Sequence, residues 1–269
     1  MKTFFLNVWF YAAFAVFAVL DLPVFTVLSV ADCLLLPRRA ALRRLRLRIH
    51  RFGRQVIWLL RPIAPVVREG VGCEPLVGGV YVANHRSFSD PWLISQLPRA
   101  EMVQIVNRWP FKIPVLGLVA KCAGYLDIKG MTLERFIETG AELLNDKVTL
   151  VSFPEGTRSR DGSLGVFNGE IFRLAKQVGA PVVPLVITGH ERTPARGSMV
   201  LRPSKIRMRL LPPLTVAEYG DWSAFKLKET VRDRIRDALK ERGHSCPPST
   251  LPEGGQECPR SCTEGAACV

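Results

Sequence analysis

The sequence predicts an α/β fold, a mostly parallel sheet flanked by helices, with an N-terminal apolar helical hairpin as anchor and a disordered C-terminal tail. Three observations carry this. After Pro65, short apolar runs alternate with segments of helical period, the pattern of a layered α/β domain. The apolar runs lack clear alternation, as strands buried on both faces do. Two of them end in polar, glycine-bearing loops, at the carboxyl ends of strands where such sheets bind ligands. A length of 269 residues suits one domain with an appendage, and 48% hydrophobic residues suffice for its core.

Residues 1–36 form the expected anchor. Thr3 to Leu20 carries no charge over 18 residues; Asp21 and Pro23 interrupt, and Val24 to Leu36 continues apolar except for Asp32. Eighteen residues rise about 27 Å, barely the hydrocarbon core of a bilayer. The run is too long for a signal peptide and lacks a small-residue cleavage site. A single tilted span is one reading. The proline favours the other, two short helices broken near Asp21-Leu22-Pro23. Such a hairpin leaves Lys2 and the following arginines together on the cytoplasmic face of the cell membrane, where positive charge accumulates.

Residues 37–68 read as a basic amphipathic helix. Ten arginines and no acidic residue lie between Arg38 and Arg68, and they account for most of the net charge of +13. Leu42, Leu45, Ile49, Phe52, Val56 and Leu59 recur at helical spacing. After an apolar anchor, such a helix suits an anionic phospholipid surface. The alternative is a helix packed on the domain with solvated arginines. Nucleic acid is not expected as a partner, since no recognition module and no interleaved exposed aromatics accompany the charge.

Residues 69–242 form the expected catalytic domain. Candidate strands are 79–83, 102–107, 125–128, 148–153, 182–188 and 206–211; candidate helices are 91–97, 113–122, 133–145, 169–179 and 222–242. Residues 243–269 are rich in Pro, Gly, Ser and Glu and are expected to be disordered. Their cysteine spacing fits no zinc pattern, so no metal is expected. Cys33, Cys73 and Cys122 stand in apolar surroundings and are expected to be buried thiols.

The chemistry concentrates in the two strand-end loops. The first, VANHRSFSD, runs from Val82 to Asp90. A neutral imidazole takes a proton from a hydroxyl more readily when a carboxylate orients its tautomer and stabilises the imidazolium. Pro91 favours a helix starting there, so a turn opening into that helix lets Asp90 reach back to His85. The bland alternative makes Asp90 a helix cap and His85 a hydrogen-bonded loop residue. No G-x-S-x-G elbow is nearby, so His85 would act on the substrate's own hydroxyl rather than through a covalent nucleophile. The second loop, PEGTRSR, follows Val148–Phe153. Gly156 allows close backbone approach, Thr157 offers a hydroxyl and Arg158 a planar fork suited to phosphate. Glu155 could orient that arginine or meet a substrate hydroxyl. A tight turn with an ion pair is the alternative.

Taken together, NHRSFSD and FPEGTRS resemble the first and third motifs of the glycerolipid acyltransferase family, typified by 1-acylglycerol-3-phosphate acyltransferases. WPFKIPVLGLVAKCAGYLDIKG, from Trp109 to Gly130, is similar to its second block, and GAPVVPLVI, from Gly179 to Ile187, to its fourth. The resemblance covers about residues 70–215. It implies a membrane-bound O-acyltransferase of phospholipid biosynthesis. Such an enzyme moves a fatty acyl group from acyl-CoA or acyl carrier protein to the sn-2 hydroxyl of 1-acylglycerol-3-phosphate, giving phosphatidic acid. It implies His85 as general base and Asp90 as its orienting partner (the H-x4-D pair), with Asn84, Ser87 and Lys112 in support. Lys129, Glu155, Gly156, Thr157 and Arg158 would form the acceptor's phosphate site. The thioester is a co-substrate, and no further cofactor or metal is implied. Two positions depart from the pattern: Lys129 where many members have arginine, and Asn168 where a lysine is common. Both weaken the phosphate grip and leave open another lyso-lipid or an aminolipid as acceptor. A lipid or thioester hydrolase and a non-catalytic membrane-shaping protein are the rival classes.

Overall fold

The computed structural model describes residues 1–70, 78–87, 89–98, 101–108, 110–113, 115–156, 163–191, 193–194 and 198–241. Seven strands form one sheet: β1 (Val66–Glu69), β2 (Val80–Ala83), β3 (Met102–Val106), β4 (Leu126–Asp127), β5 (Thr149–Ser152), β6 (Val182–Thr188) and β7 (Ile206–Leu210). Their order is β1-β7-β6-β2-β5-β3-β4, and only the β6–β7 pair is antiparallel. The central strands are apolar and buried on both faces, as the absence of alternation in their sequences requires. β7, between β1 and β6, instead alternates buried and half-exposed residues.

Among the described residues there are eight α-helices: α1 (Lys2–Leu35), α2 (Arg38–Leu60), α3 (Asp90–Leu93), α4 (Leu116–Cys122), α5 (Leu133–Asn145), α6 (Glu170–Val178), α7 (Val216–Tyr219) and α8 (Ala224–Lys240). On one sheet face, α5, α6 and α8 pack on Val80, Val82, Val103, Leu150 and Val182 through Phe136, Phe172, Leu174, Leu227 and Val231. On the other, α2 and α3 pack on Tyr81, Val151, Val183 and Leu185 through Ile57, Leu60 and Leu93. Burying each such side chain contributes roughly 1.5–3 kcal/mol. Helix boundaries follow local chemistry. The Thr132 hydroxyl accepts from the Arg135 amide at the start of α5, Ser223 does the same for Lys226 at α8, and α6 stops at Gly179 with φ 70°.

The apolar segment is not two helices broken at Asp21-Leu22-Pro23. It is the single helix α1, with Pro23 inside it. Proline removes one i→i−4 bond and crowds the carbonyl four residues back, but apolar turns on both sides continue in register past it. The chain reverses instead at Leu36-Pro37, and α1 runs back along α2. The hairpin is therefore one apolar helix paired with the basic one. Phe17, Phe52 and Trp92 form an aromatic chain across it, with ring centroids 5.1 and 5.9 Å apart. Near its turn, buried Asp32 is paired with both Arg44 and Arg48.

These contacts also revise the reading of α2 as a helix lying freely on lipid. Arg46 is buried, donating to the Ala123 carbonyl and pairing with Glu101; Arg43 pairs with Glu101 too, and Arg39 with Asp146. The apolar face of α2 docks on the sheet, and half of the arginine cluster answers carboxylates of the protein itself. Arg38, Arg51, Arg54 and Arg61 remain exposed. β1 begins inside the segment assigned to the basic helix, because Val66-Val67 supplies a short strand that the adjacent arginines hide. Cys33 and Cys122 are exposed rather than buried, since both line a cavity instead of the packed core. Cys73 and the tail cysteines lie outside the described residues.

Gly53 marks the closest approach of α2 to the chain after α3. A Cβ there would stand 2.9 Å from the Ser95 Cβ. Gly53→Val should force the two apart and cost roughly 1–3 kcal/mol, lowering the thermal unfolding midpoint by about 2–12 °C. A melting curve of the purified variant checks this.

Candidate active site

The strand order brings the site together. β6, β2, β5 and β3 are neighbours and mutually parallel, so their carboxyl ends emerge on one edge. The loops that follow carry His190, His85, Glu155 and Asn107 respectively.

The β2 loop wraps around Asp90. The Asp90 carboxylate is 0% exposed. Its Oδ2 accepts from the Arg86 amide at 2.8 Å, the Ser87 amide at 3.0 Å and His85 Nδ1 at 2.8 Å. Burial pushes this carboxyl up, but the imidazoles of His190 and His85 outweigh it and hold the group well below the usual carboxylate range. Asp90 is thus ionised and can only accept, so Nδ1 of His85 carries the hydrogen, which in the neutral ring makes Nε2 the acceptor. The expected pairing of His85 and Asp90 is present, and the cap reading is answered too: Asp90 is the first residue of α3, and its side chain serves His85.

The supporting residues have identifiable tasks. Asn84 is fully buried, donating to the Ile187 carbonyl at 2.9 Å and accepting from the Ile187 amide at 2.8 Å. It locks the β2 loop to β6. The Ser87 hydroxyl accepts from the Ser89 amide at 3.2 Å and stands 3.3 Å from the carbonyls of Thr193 and Pro194. Glu155 gives both oxygens to backbone, accepting from the His85 amide at 2.7 Å and the Gly165 amide at 2.8 Å. Burial raises its pKa, and these two amides act against that rise. It therefore joins two loops and shapes the site, leaving Gly156 in a left-handed turn with φ 67°. Asn107 donates to the Gly156 carbonyl, and the Asn168 amide lies beside it.

His85 faces a large apolar cavity of about 1180 Å³, running from Phe153, Gly156 and Asn168 to the inner face of the α1–α2 pair. Its ring centroid is 4.9 Å from that of Phe153. His50, on the α2 side of the cavity, is lowered to about 4 by burial and by Arg54, and so stays neutral. Lys112 and Lys129 are not brought into the cavity wall. Each stands exposed on a turn beside it, and the Lys129 backbone amide donates to Asp127 Oδ1 at 3.2 Å. Thr157 and Arg158 lie outside the described residues. The sequence reading missed His190 and Asn107. The available signal for both was position alone, each immediately beyond a buried strand.

Comparison with known proteins agrees with this geometry. Residues 73–188 match the family model described as Acyltransferase. The 1-acyl-sn-glycerol-3-phosphate acyltransferase of Limnanthes douglasii is 28% identical over 187 residues, covering 68% of this chain and 64% of that one. The chain thus spans somewhat under two thirds of that relative's length. The Escherichia coli protein of the same name is 27% identical over 204 residues, 71% of this chain and 78% of its own. The crystal structure of the 1-acyl-sn-glycerophosphate (LPA) acyltransferase PlsC from Thermotoga maritima superposes with a TM-score of 0.73 at 24% identity, covering 92% of this chain and 98% of that one, and so shares its fold. With the four motifs in order and His85 held against Asp90, residues 73–188 match the Acyltransferase family model, and the chain is similar to the 1-acyl-sn-glycerol-3-phosphate acyltransferases.

Proposed function

We propose that the protein is an O-acyltransferase that moves a fatty acyl group from a thioester, acyl-CoA or acyl carrier protein, to the free hydroxyl of a lysophospholipid. The sn-2 hydroxyl of 1-acylglycerol-3-phosphate is the acceptor the relatives' names favour. One observation carries the reading: His85 is held by Asp90 through Nδ1 and lines an apolar cavity wide enough for a fatty chain. In this reading Nε2 of His85 takes the hydroxyl proton as the oxygen attacks the thioester carbonyl. The tetrahedral intermediate collapses, the C–S bond breaks, and the thiolate takes the proton back from the imidazolium, leaving an ester and a free thiol. Asp90 stabilises the transient imidazolium. A thioester is already activated, so the step asks for no metal or other cofactor. A hydrolase would use water instead, but an apolar cavity beside the base favours an acyl chain and a lipid alcohol.

The α1–α2 pair would hold the enzyme on the membrane. α1 is long and apolar enough to cross one, but at about 51 Å it exceeds the ~30 Å hydrocarbon core and runs alongside a helix docked on the domain. That supports a pair seated in one leaflet on the cytoplasmic face. Val19, Val27 and Leu35 would face lipid tails, and Trp58 with Arg54 and Arg61 the headgroups. A second acceptor reading has its own support. Around Gly156 stand two neutral amides, Asn107 and Asn168, and Lys129 is outside the cavity wall, an arrangement compatible with a lyso-lipid or aminolipid lacking phosphate.

Three outcomes test these readings. In a thioester-dependent acylation assay, His85→Ala should lose at least ~10²–10⁴-fold in kcat while keeping the wild-type fold by circular dichroism. Arg158→Ala should raise the acceptor KM about 10- to 100-fold, the worth of one charge-assisted bond to phosphate, and spare the donor KM. An unchanged acceptor KM selects the acceptor without phosphate. The double variant Val19→Glu, Val27→Glu changes side chains that are 72% and 67% exposed, so it should fold but no longer sediment with phospholipid vesicles.

A further inference from the structure

The dyad leaves one buried ionisable neighbour unused. His190 follows β6 across Gly189, whose φ of 80° and whose approach to the Lys205 carbonyl leave no room for a Cβ. That turn sends the imidazole beneath the β2 loop. There it is 0% exposed, and its Nε2 stands 2.9 Å from Asp90 Oδ1. The contact is too bent to be a hydrogen bond, so neither ring nitrogen nor Asp90 Oδ1 has a hydrogen-bond partner among the described residues. A buried polar ring with unsatisfied nitrogens is costly, and an apolar side chain of similar size would fill the same space without that cost.

The two oxygens of Asp90 are divided between the histidines. Oδ2 serves His85 and two backbone amides, while Oδ1 meets only His190. Remove the imidazole, and Oδ1 loses the polar ring that faces it at 2.9 Å. The carboxylate can then turn toward any donor it finds, taking Oδ2 out of line with Nδ1 of His85.

We propose that His190 is a positioning residue for acyl transfer, its ring set against Oδ1 so that Oδ2 alone faces His85. The charged groups around the pair are His85 and Asp90 themselves, the Arg86–Glu191 ion pair at 3.1 Å joining the β2 and β6 loops, and Glu155 on the His85 amide from the β5 loop. None of these reaches Oδ1. The proposal rests on the acyltransferase reading for its kinetic consequence but not for its structural one.

The test uses the full chain, with His190→Phe removing the ring nitrogens and His190→Gln putting an amide in their place. The readouts are acyl-transfer kinetics against pH and ¹⁵N spectra of the histidine rings, assigned by single substitutions of the four histidines. In His190→Phe, kcat should fall about 10–100-fold, as a misaligned catalytic group causes. KM for donor and acceptor should not change, because a fully buried residue touches neither. The acidic limb of kcat/KM should move to lower pH, since a carboxylate turned away from Nδ1 no longer stabilises the His85 imidazolium. The His85 ring should lose its single Nδ1-protonated tautomer. His190→Gln should restore all three toward wild type. Wild-type kcat, limb and tautomer in His190→Phe overturn the proposal, and so does equal impairment of the Phe and Gln variants, which would mean that only volume matters. Should His190→Phe not fold, His190→Met, flexible and without a donor, carries the same measurements. If the wild-type protein acylates no acceptor, the acyltransferase reading fails, and the tautomer comparison still decides the role of His190.

Discussion

A carboxylate with no access to water organises the active edge of this sheet. An ionised group in that position is tolerated only when every lone pair finds a donor or a positive charge. Asp90 obtains two from the backbone of its own loop, and that requirement folds Arg86 and Ser87 back over it. With the loop so folded, the Ser87 hydroxyl reaches the carbonyls of Thr193 and Pro194 from the loop after β6, while Asn84 closes on Ile187 at the end of that strand. The Glu155 carboxylate then joins the same loop to the one after β5 through the His85 amide. Three loops far apart in sequence are held at hydrogen-bond distance because one charge has to be satisfied among them.

The other determinant is the pairing of the strands. Parallel neighbours deliver their carboxyl ends to one side, and here five of them, β6, β2, β5, β3 and β4, are contiguous. The antiparallel β7 at the flank of β6 costs nothing at the site, since it lies away from β2. The cavity beside the site is completed by the helix pair. Phe14, Phe25 and Ser29 of α1 line it together with Leu45 and Phe52 of α2, while Val19 and Val27 of the same apolar helix point outward. One continuous apolar segment thus walls the cavity and presents the outer surface, which a helix broken at Pro23 would do less well.

This division explains which parts of the molecule could be read from the sequence. Buried parallel strands are apolar runs bounded by polar loops, and each expected strand is found within a few residues. The His85–Asp90 pair is local, five positions apart, so spacing and the proline after it were enough. Interactions across long separations were not visible. Asp32 reads as a break in an apolar run until α1 lies along α2 and meets Arg44 and Arg48. Arg46 reads as one more surface charge until Glu101 and the Ala123 carbonyl are found beneath it. His190 is 105 residues from His85, and only the pairing of β6 with β2 brings both to one carboxylate. Local periodicity carries no information about which of many arginines or histidines will be answered from the far side of a fold.

The same reasoning bears on the acceptor. A lysine beside the Gly156 turn would be a cation needing an anion, and a substrate phosphate would supply it. The amide of Asn107 instead donates to the Gly156 carbonyl, and Asn168 adds a second neutral group on the same turn. Because neither amide ionises, this turn itself puts no positive charge beside the base. An acceptor phosphate would then draw its countercharge from residues beyond Gly156, chiefly Arg158, whose planar fork can hold two oxygens at once.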